Sequence, residues 1–219
     1  VEATHRRMQV VDLLSSVGIP DAVHRMKQYP HEFSGGQRQR IMIAMALACD
    51  PKLLIADEPT TSLDVTVQAQ ILDLIKRRQR ESGASVILIT HDLGIVASIA
   101  DRVIVMYGGK IMEQGNSSDI FYHSKHPYTW ALIRAAPRID IKSGEKLATI
   151  EGGPPDLLNP PQGCAFHPRC PYCMDICRKL APETKSIDDG HLCACWLLHP
   201  YAPKVASPIK RKGDAGDVH

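Results

Sequence analysis

Three short polar segments of the sequence have residue types that could act together on a phosphate group. The first stands directly before a helical pattern that runs to Cys49 and consists of Ser34, Gly35, Gly36 and Gln37. Glycines let backbone N–H groups approach a ligand closely, and a helix N-terminus carries partial positive charge. A plain helix cap and turn would have the same composition, so the segment alone is a weak signal.

The other two segments follow apolar runs. Asp57 and Glu58 come after "KLLIA", and His91 comes after "SVILIT". One carboxylate of the pair can hold Mg²⁺ while its neighbour polarises an attacking water, and a histidine can stabilise a phosphate. If both runs are parallel strands, their carboxyl ends meet at one sheet edge, where open α/β sheets bind ligands.

The elements that must position these residues alternate between strand and helix. The apolar runs are short and continuous, as in strands buried on both faces of a parallel sheet. A helix predicted over residues 67–80 separates them, and a shorter one over 93–100 follows the second. Next, "RVIVMYGGKIMEQG" predicts two strands joined at Gly108-Gly109. The pattern indicates an α/β fold with right-handed crossovers.

The character of the sequence changes after residue 115. A short helix in "HPYTWALIRAAP" precedes the Pro- and Gly-rich "EGGPPDLLNPPQG", so we place boundaries near residues 115 and 152. The polar segment 203–219 shows no periodicity, which predicts disorder. We therefore divide the chain into residues 1–30, 31–115, 116–202 and 203–219.

Six of the seven cysteines lie between Cys164 and Cys195. In a reducing compartment such a cluster favours metal binding over disulfides. The C-x₂-C and C-x-C spacings, formed by Cys170, Cys173, Cys193 and Cys195, suggest zinc first and an iron–sulfur site next. We interpret His167, His191 and His199 as surface residues or neighbours of the ligands.

The composition excludes several classes of protein. Lys and Arg total 26 against 24 acidic residues, a net charge of +2 that gives no basic footprint for nucleic acid. No apolar run approaches the roughly 20 residues that span a bilayer, and the N-terminus lacks a signal-peptide pattern. We therefore expect a cytosolic protein that binds no nucleic acid.

Four motifs, in order and spacing, resemble those of ATP-binding-cassette (ABC) ATPases. They are "FSGGQRQR", "LLIADEPT", "SLD" and "ITHD", similar to the signature, Walker B strand, D-loop and H-loop. The resemblance implies an α/β, P-loop NTPase-like parallel-sheet core followed by a small Cys-rich extension, with residues 1–30 in the helical subdomain. G-x-x-x-x-G-K-[ST], the Walker A motif, does not occur, and in the family it lies upstream. The chain thus looks like a C-terminal part, and alone it should not hydrolyse ATP.

The resemblance also implies a role for each candidate residue. Ser34, Gly35, Gly36 and Gln37 would contact the γ-phosphate of ATP held by a facing subunit. Asp57 would assist Mg²⁺, Glu58 would act as general base, and His91 would bind the γ-phosphate. Asp64 would couple the two sites across the dimer.

Among ABC ATPases, the resemblance is to the subunits of peptide importers, because "KHPYTWALIRAAPR" and the cysteine segment match their extension. Family substrates include dipeptides, oligopeptides and nickel complexes. The implied partners are a second ATPase subunit in a heterodimer, membrane permease subunits and, indirectly, an extracytoplasmic substrate-binding protein. The implied location is peripheral, on the cytoplasmic face of the bacterial inner membrane. In that extension, cysteines spaced like Cys164, Cys170, Cys177 and Cys195 hold a [4Fe-4S] cluster; Cys173 and Cys193 depart from that pattern, so zinc stays open.

Two other interpretations stay open at this point. One is a soluble ABC-type ATPase that acts on DNA and carries a zinc module, although such proteins have long coiled coils or basic surfaces. The other is an inert product of a truncated gene.

Overall fold

In the computed structural model, which describes residues 3–61, 64–136 and 150–209, the chain divides into two compact units. The first spans Val1–His91 and the second Asp92–His219. This division separates the two apolar strand runs from the later hairpin. The domain boundaries given above stay predictions.

The first unit combines four helices with two strands. In chain order these are α1 (Ala3–Ser16), α2 (Ala22–Arg25), α3 (Gly35–Leu47), β1 (Leu53–Asp57), α4 (Val65–Ser82) and β2 (Ser85–Ile89), with a 3₁₀ turn at Pro30–Glu32. β1 and β2 pair in parallel, with Leu53 opposite Ser85 and Asp57 opposite Ile89. The predicted order of strand, helix and parallel strand is confirmed.

The core of this unit lies between the helices and one face of the two strands. Ile43 and Leu47 from α3 pack with Leu54 of β1 and with Ile71 and Ile75 of α4. Apolar residues spaced three or four apart on each helix produce this single packed stripe.

The prediction that both strands are buried on two faces is wrong for the residues described. Leu53 is 49% exposed, Ile55 60%, and Ile87 and Ile89 are each 48% exposed. Only alternate residues of β1 and β2 face α3 and α4, because successive side chains point to opposite faces of a strand. Within the described part of the chain, no element covers the other face.

The second unit is built on a four-stranded antiparallel sheet in the order β3-β4-β6-β5. Its elements are α5 (Leu93–Ile99), β3 (Arg102–Tyr107), β4 (Lys110–Asn116), α6 (Ser117–His123), α7 (Pro127–Ala135), α8 (Asp175–Lys179), β5 (Lys185–Asp188) and β6 (His191–Cys193), with 3₁₀ turns at His167–Arg169 and Trp196–Leu198. Gly108 and Gly109 both have positive φ and join β3 to β4, which confirms the predicted hairpin. β6 pairs with β4, so the cysteine-rich segment contributes strands to the same sheet.

Residues 203–209 do not follow the prediction of disorder from residue 203. Ile209 is buried against Trp130 and Ile133 of α7, and Val205 packs beside them. An apolar residue at the end of a polar segment can anchor it, and composition averaged over the tail missed this contact. The rest of the predicted disordered segment lies outside the described residues.

No helix in the three described ranges is long and apolar enough to cross a membrane.

A buried carboxylate joins β4 to the start of α7 and to β6. Glu113 is fully buried, and its carboxylate accepts hydrogen bonds from the backbone N–H groups of Lys125 and His126 at 2.6 and 3.1 Å. The ring of His191 contributes a third hydrogen bond, with its Nε2 2.9 Å from the carboxylate. His191 is therefore buried and bonded to Glu113, and its interpretation as a surface residue is wrong.

His126 beside this carboxylate is held in its neutral form by burial. Its Nδ1 accepts a hydrogen bond from the backbone N–H of Tyr128 at 3.0 Å, which leaves the ring proton on Nε2. Phe166 packs near the ring, and burial lowers the pKa of His126 to about 4. A proton added to this ring would lie in apolar surroundings, where a charge is costly.

We expect acid to destabilise the chain through His126. The unfolded histidine takes up a proton near pH 6.5 and the folded one only near pH 4. Stability is therefore complete above pH 6.5 and is lost as the pH falls towards 4, by up to about 3 kcal/mol. The measurement is the free energy of unfolding in urea from pH 7.5 to 4.5. His126→Asn, which keeps an acceptor for Tyr128 N–H, should show a shallower pH dependence, and parallel curves for the two proteins would contradict the assignment.

Candidate functional site

The first candidate segment forms the capped start of α3. Ser34 is the residue before the helix, and its Oγ accepts a hydrogen bond from the backbone N–H of Gln37 at 3.3 Å. In return, Oε1 of Gln37 accepts from the backbone N–H of Ser34 at 3.1 Å. This reciprocal pair satisfies two backbone donors that a helix start leaves open.

The two glycines of this segment serve different purposes. A side chain at Gly36 would place its Cβ 3.0 Å from Cγ1 of Val67, so glycine lets α3 pack closely on α4. A Cβ at Gly35 would meet no atom within 4 Å. Packing therefore explains Gly36 but not Gly35, and the exposed backbone at Gly35 is open to a ligand.

Glu58 and His91 meet at the carboxyl ends of the two parallel strands. Nδ1 of His91 lies 2.7 Å from Oε1 of Glu58. Glu58 leaves the strand in a left-handed conformation with φ of 47°, and its backbone N–H still donates to the carbonyl of Ile89 at 2.9 Å. The side chain of His91 is 83% exposed and that of Glu58 36% exposed. Parallel pairing thus brings together two of the sequence-predicted residues.

A third group, which the sequence did not indicate, also holds the Glu58 carboxylate. The hydroxyl of Thr61 donates to Oε2 at 2.9 Å, so each carboxylate oxygen has one partner. Hydrogen bonds to His91 and Thr61 hold the pKa of Glu58 below its usual value. The carboxylate is therefore ionised at neutral pH and can accept a proton.

Asp57 and Asp64 lie on either side of this turn. Asp57 is the exposed last residue of β1, next to Glu58. Asp64 stands before α4, and its Oδ1 accepts from the backbone N–H of Val67 at 2.9 Å. The N-cap role of Asp64 is readable from sequence, since aspartate is favoured before a helix, but we had not predicted it.

Two glutamines also contact the turn that carries Glu58. Nε2 of Gln39, on α3, donates to the carbonyl of Pro59 at 2.7 Å. Nε2 of Gln68, on α4, lies 3.3 Å from the hydroxyl of Thr60. Gln39 lies in the quoted segment "FSGGQRQR", but the sequence does not indicate its partner or that of Gln68, because these contacts form only when the helices pack.

The four cysteines predicted to hold a cluster come together in the second unit. Cys164 and Cys177 are buried, while Cys170 and Cys195 are partly exposed. The thiol of each is close enough to the other three for their ionised forms to repel. Burial is the main cause that raises the pKa of Cys170 to about 11 and of Cys195 to about 12.

The remaining residues of the segment are arranged differently. Cys173 interacts with Cys164, Cys170 and Cys177, whereas Cys193 interacts with Glu113 as well as with Cys195 and Cys164. Nδ1 of His167 lies 3.0 Å from the carbonyl of Cys164, and His199 packs beside Trp196 and Tyr201. Among the described residues, no group of three or more His, Cys, Asp or Glu side chains is arranged to hold a metal ion.

The backbone around Cys164 is fixed by Gly163. Gly163 has φ of 78°, and a Cβ there would lie 2.3 Å from the carbonyl oxygen of Cys177. The backbone N–H of Cys164 donates to that same oxygen at 2.8 Å. Glycine is therefore required where these two cysteines approach.

Comparisons with known proteins match two segments of the chain to described families. Residues 1–61 match the family model "ABC transporter". Residues 112–177 match "Oligopeptide/dipeptide transporter, C-terminal region".

Two relatives from Bacillus subtilis are similar to nearly the whole chain. The dipeptide transport ATP-binding protein DppD is 58% identical over 96% of this chain and 62% of its own length. The oligopeptide transport ATP-binding protein OppD is 55% identical over 94% of this chain and 57% of its own length. The chain spans about three-fifths of the length of the curated relatives it matches. The structure of cbiO1 from Clostridium perfringens is 36% identical, with a TM-score of 0.49, over 55% of this chain and 47% of that chain.

We expect Gly163→Ala to destabilise the cysteine segment strongly. The new Cβ would clash with backbone at Cys177 and would also face a positive φ, so the cost should be about 2–4 kcal/mol. The measurement is urea unfolding at pH 7.5. Gly109→Ala is the matched control. Its φ is also positive, at 73°, but an added Cβ would meet no atom within 4 Å, so a loss of about 1 kcal/mol in the free energy of unfolding is expected. Equal costs at the two positions would show that the close approach does not matter.

Proposed function

We propose that the chain serves a peptide import transporter as its ATP-hydrolysing subunit, because residues 1–61 match the family model for ABC transporters and residues 112–177 match the one for the oligopeptide/dipeptide transporter C-terminal region. The observation that carries the proposal is the ionised Glu58 carboxylate, held between His91 and Thr61 at the carboxyl edge of two parallel strands. That is where an α/β sheet places its ligand.

The proposal assigns the start of α3 to an ATP molecule held by a facing subunit. Ser34, Gly35, Gly36 and Gln37 would contact its γ-phosphate with backbone N–H groups and side-chain donors, aided by the helix dipole. The open space at Gly35 supports this, since its backbone is exposed and a Cβ there would meet no atom within 4 Å. Asp64 would couple the two sites across the dimer.

Glu58 would take one proton from the water that attacks the γ-phosphorus. The water oxygen forms the new P–O bond, and the bond between the γ-phosphorus and the bridging oxygen breaks to release ADP. His91 would orient Glu58 and contact the γ-phosphate. Asp57 would hold Mg²⁺, which neutralises phosphate charge when bound; its carboxylate is exposed beside Glu58 and is a ligand of the kind that Mg²⁺ prefers.

The partners follow from the same family. We propose a second ABC ATPase subunit, membrane permease subunits and an indirect link to an extracytoplasmic substrate-binding protein. The complex would sit at the bacterial inner membrane, with this subunit on the cytoplasmic face.

We propose that Cys164, Cys170, Cys177 and Cys195 hold a [4Fe-4S] cluster. The chemistry of the donor set fits, because four thiolates are the usual ligands of such a cluster and each thiol interacts with the other three. Each of the four cysteines would supply one thiolate to the cluster. Zinc bound by another subset of the cysteines is the alternative. The cluster would tie residues 164–177 to Cys195, which follows β6, and has no proposed role in hydrolysis.

In the full-length subunit with its partner, we expect Glu58→Gln to reduce ATP hydrolysis about a hundredfold or more, because the base is lost while the shape is kept. ATP binding should persist, so ATP-loaded dimers should accumulate. The assay is phosphate release alongside nucleotide retention. These 219 residues alone should show negligible hydrolysis. Wild-type turnover of Glu58→Gln would remove Glu58 as the base.

Protein purified without oxygen should be brown, with a broad visible absorption that bleaches on reduction. Serine at any of the four proposed ligands should remove the colour and reduce bound iron and sulfide, because a missing thiolate opens the cluster. Cys173→Ser is the matched control and should keep the colour. Colourless protein with about one zinc per chain by elemental analysis would contradict the cluster and favour a zinc site.

A further inference from the structure

Three sets of contacts hold the turn that carries Glu58: one from β2, one within the turn itself and one from α3. The backbone N–H of Glu58 donates to Ile89 of β2, and Pro59 and Thr60 are buried below the exposed carboxylate. The backbone N–H of Thr61 donates to the carbonyl of Glu58 at 3.2 Å and closes the turn. Glu58 has a positive φ, which is unfavourable for a non-glycine residue, so its conformation depends on these surroundings.

The contact from α3 is the amide of Gln39. Its Nε2 donates to the carbonyl of Pro59 at 2.7 Å, across a sequence separation of 20 residues. That carbonyl belongs to the peptide between Pro59 and Thr60, so the bond holds the residue that directly follows Glu58 in the turn. Gln39 is half-buried, and partial shielding from water strengthens such a bond.

Gln39 also lies within a little over one helical turn of the start of α3. It lies four positions beyond Gly35, which is about 6 Å along the helix axis. A helix is rigid over that distance. Any shift of the α3 start that accompanies phosphate contact is therefore passed to the Pro59 carbonyl through one side chain.

We infer that Gln39 is a positioning residue that couples the phosphate contact at the start of α3 to the placement of Glu58 in the same chain. The inference rests on the proposed function, because it takes Ser34 as a phosphate contact and Glu58 as the base. ATP at the site that α3 faces would thereby set the geometry of the base at this chain's own site.

A purely structural role for Gln39 makes a different prediction. If the amide only stabilised the fold, its loss would lower the free energy of unfolding and would leave turnover per folded molecule unchanged. If it positions Glu58, its loss should lower kcat while the KM for ATP and the melting temperature stay close to the wild-type values.

The test uses the full-length subunit assembled with its partner ATPase and permease in lipid vesicles. Gln39→Met removes the donor at similar size, and kcat should fall about tenfold, as expected for one lost hydrogen bond with an unpaired carbonyl. Gln39→Lys still offers an N–H donor of similar reach and should stay within about threefold of wild type. Gln70→Met is the matched control: Gln70 lies on α4 and its amide pairs with Arg40, so turnover should not change.

Coupling through α3 is tested by a double-mutant cycle. The fall in kcat caused by Ser34→Ala and Gln39→Met together should be smaller than the product of the two single effects. The reason is that both substitutions interrupt the same connection. Multiplicative effects, or wild-type kcat in Gln39→Met, would overturn the inference. If Glu58→Gln is inactive while Gln39→Met is normal, only this inference fails; if Glu58→Gln turns over normally, the proposed function itself fails.

Discussion

The parallel pairing of β1 with β2 is the constraint on which the candidate site depends. With Asp57 opposite Ile89, the residues that follow each strand leave the sheet at the same level. Glu58 and His91 then meet at 2.7 Å although 33 positions separate them. A register shift of one residue would reverse the face of every side chain in the shifted strand and would separate this pair. The hydrophobic contacts of Leu54 with α3 and α4 hold the register, so the core and the site are fixed by the same packing.

The second unit depends on buried polar groups as much as on apolar packing. Glu113 satisfies two backbone N–H groups at the start of α7 and binds His191, the first residue of β6. A buried charge is costly unless it is hydrogen-bonded, so these partners must be in place for β4, α7 and β6 to pack. The cysteine segment is thereby tied to the sheet by its backbone and by a side chain, independently of any metal.

Local patterns in the sequence were sufficient for the order from α3 to the β3–β4 hairpin and for the sheet-edge residues, but they indicated neither β5 nor β6. Apolar runs predicted β1 and β2, and the Gly108-Gly109 pair predicted the hairpin, because these signals are local. Exposure of Ile55 and Ile87 was not predictable, since burial depends on which element covers the sheet. The contacts of Gln39 and Thr61 with the Glu58 turn were also missed. They depend on a left-handed backbone at Glu58 and on helix packing, which no residue spacing encodes.

The reciprocal hydrogen bonds between Ser34 and Gln37 stabilise the start of α3, which is also the proposed phosphate contact. Ser34 and Gln37 satisfy each other's backbone N–H groups in the structure, at 3.3 and 3.1 Å. A phosphate oxygen is a more negatively charged acceptor than Ser34 Oγ or Gln37 Oε1. Phosphate binding would therefore replace the side-chain hydrogen bonds of these N–H groups with hydrogen bonds to phosphate. A cap of this kind is worth about 1 kcal/mol, which is small beside the attraction of several N–H groups for an anion. The helix start is thus preformed without the ligand, and the groups that preform it are the ones that a phosphate would use.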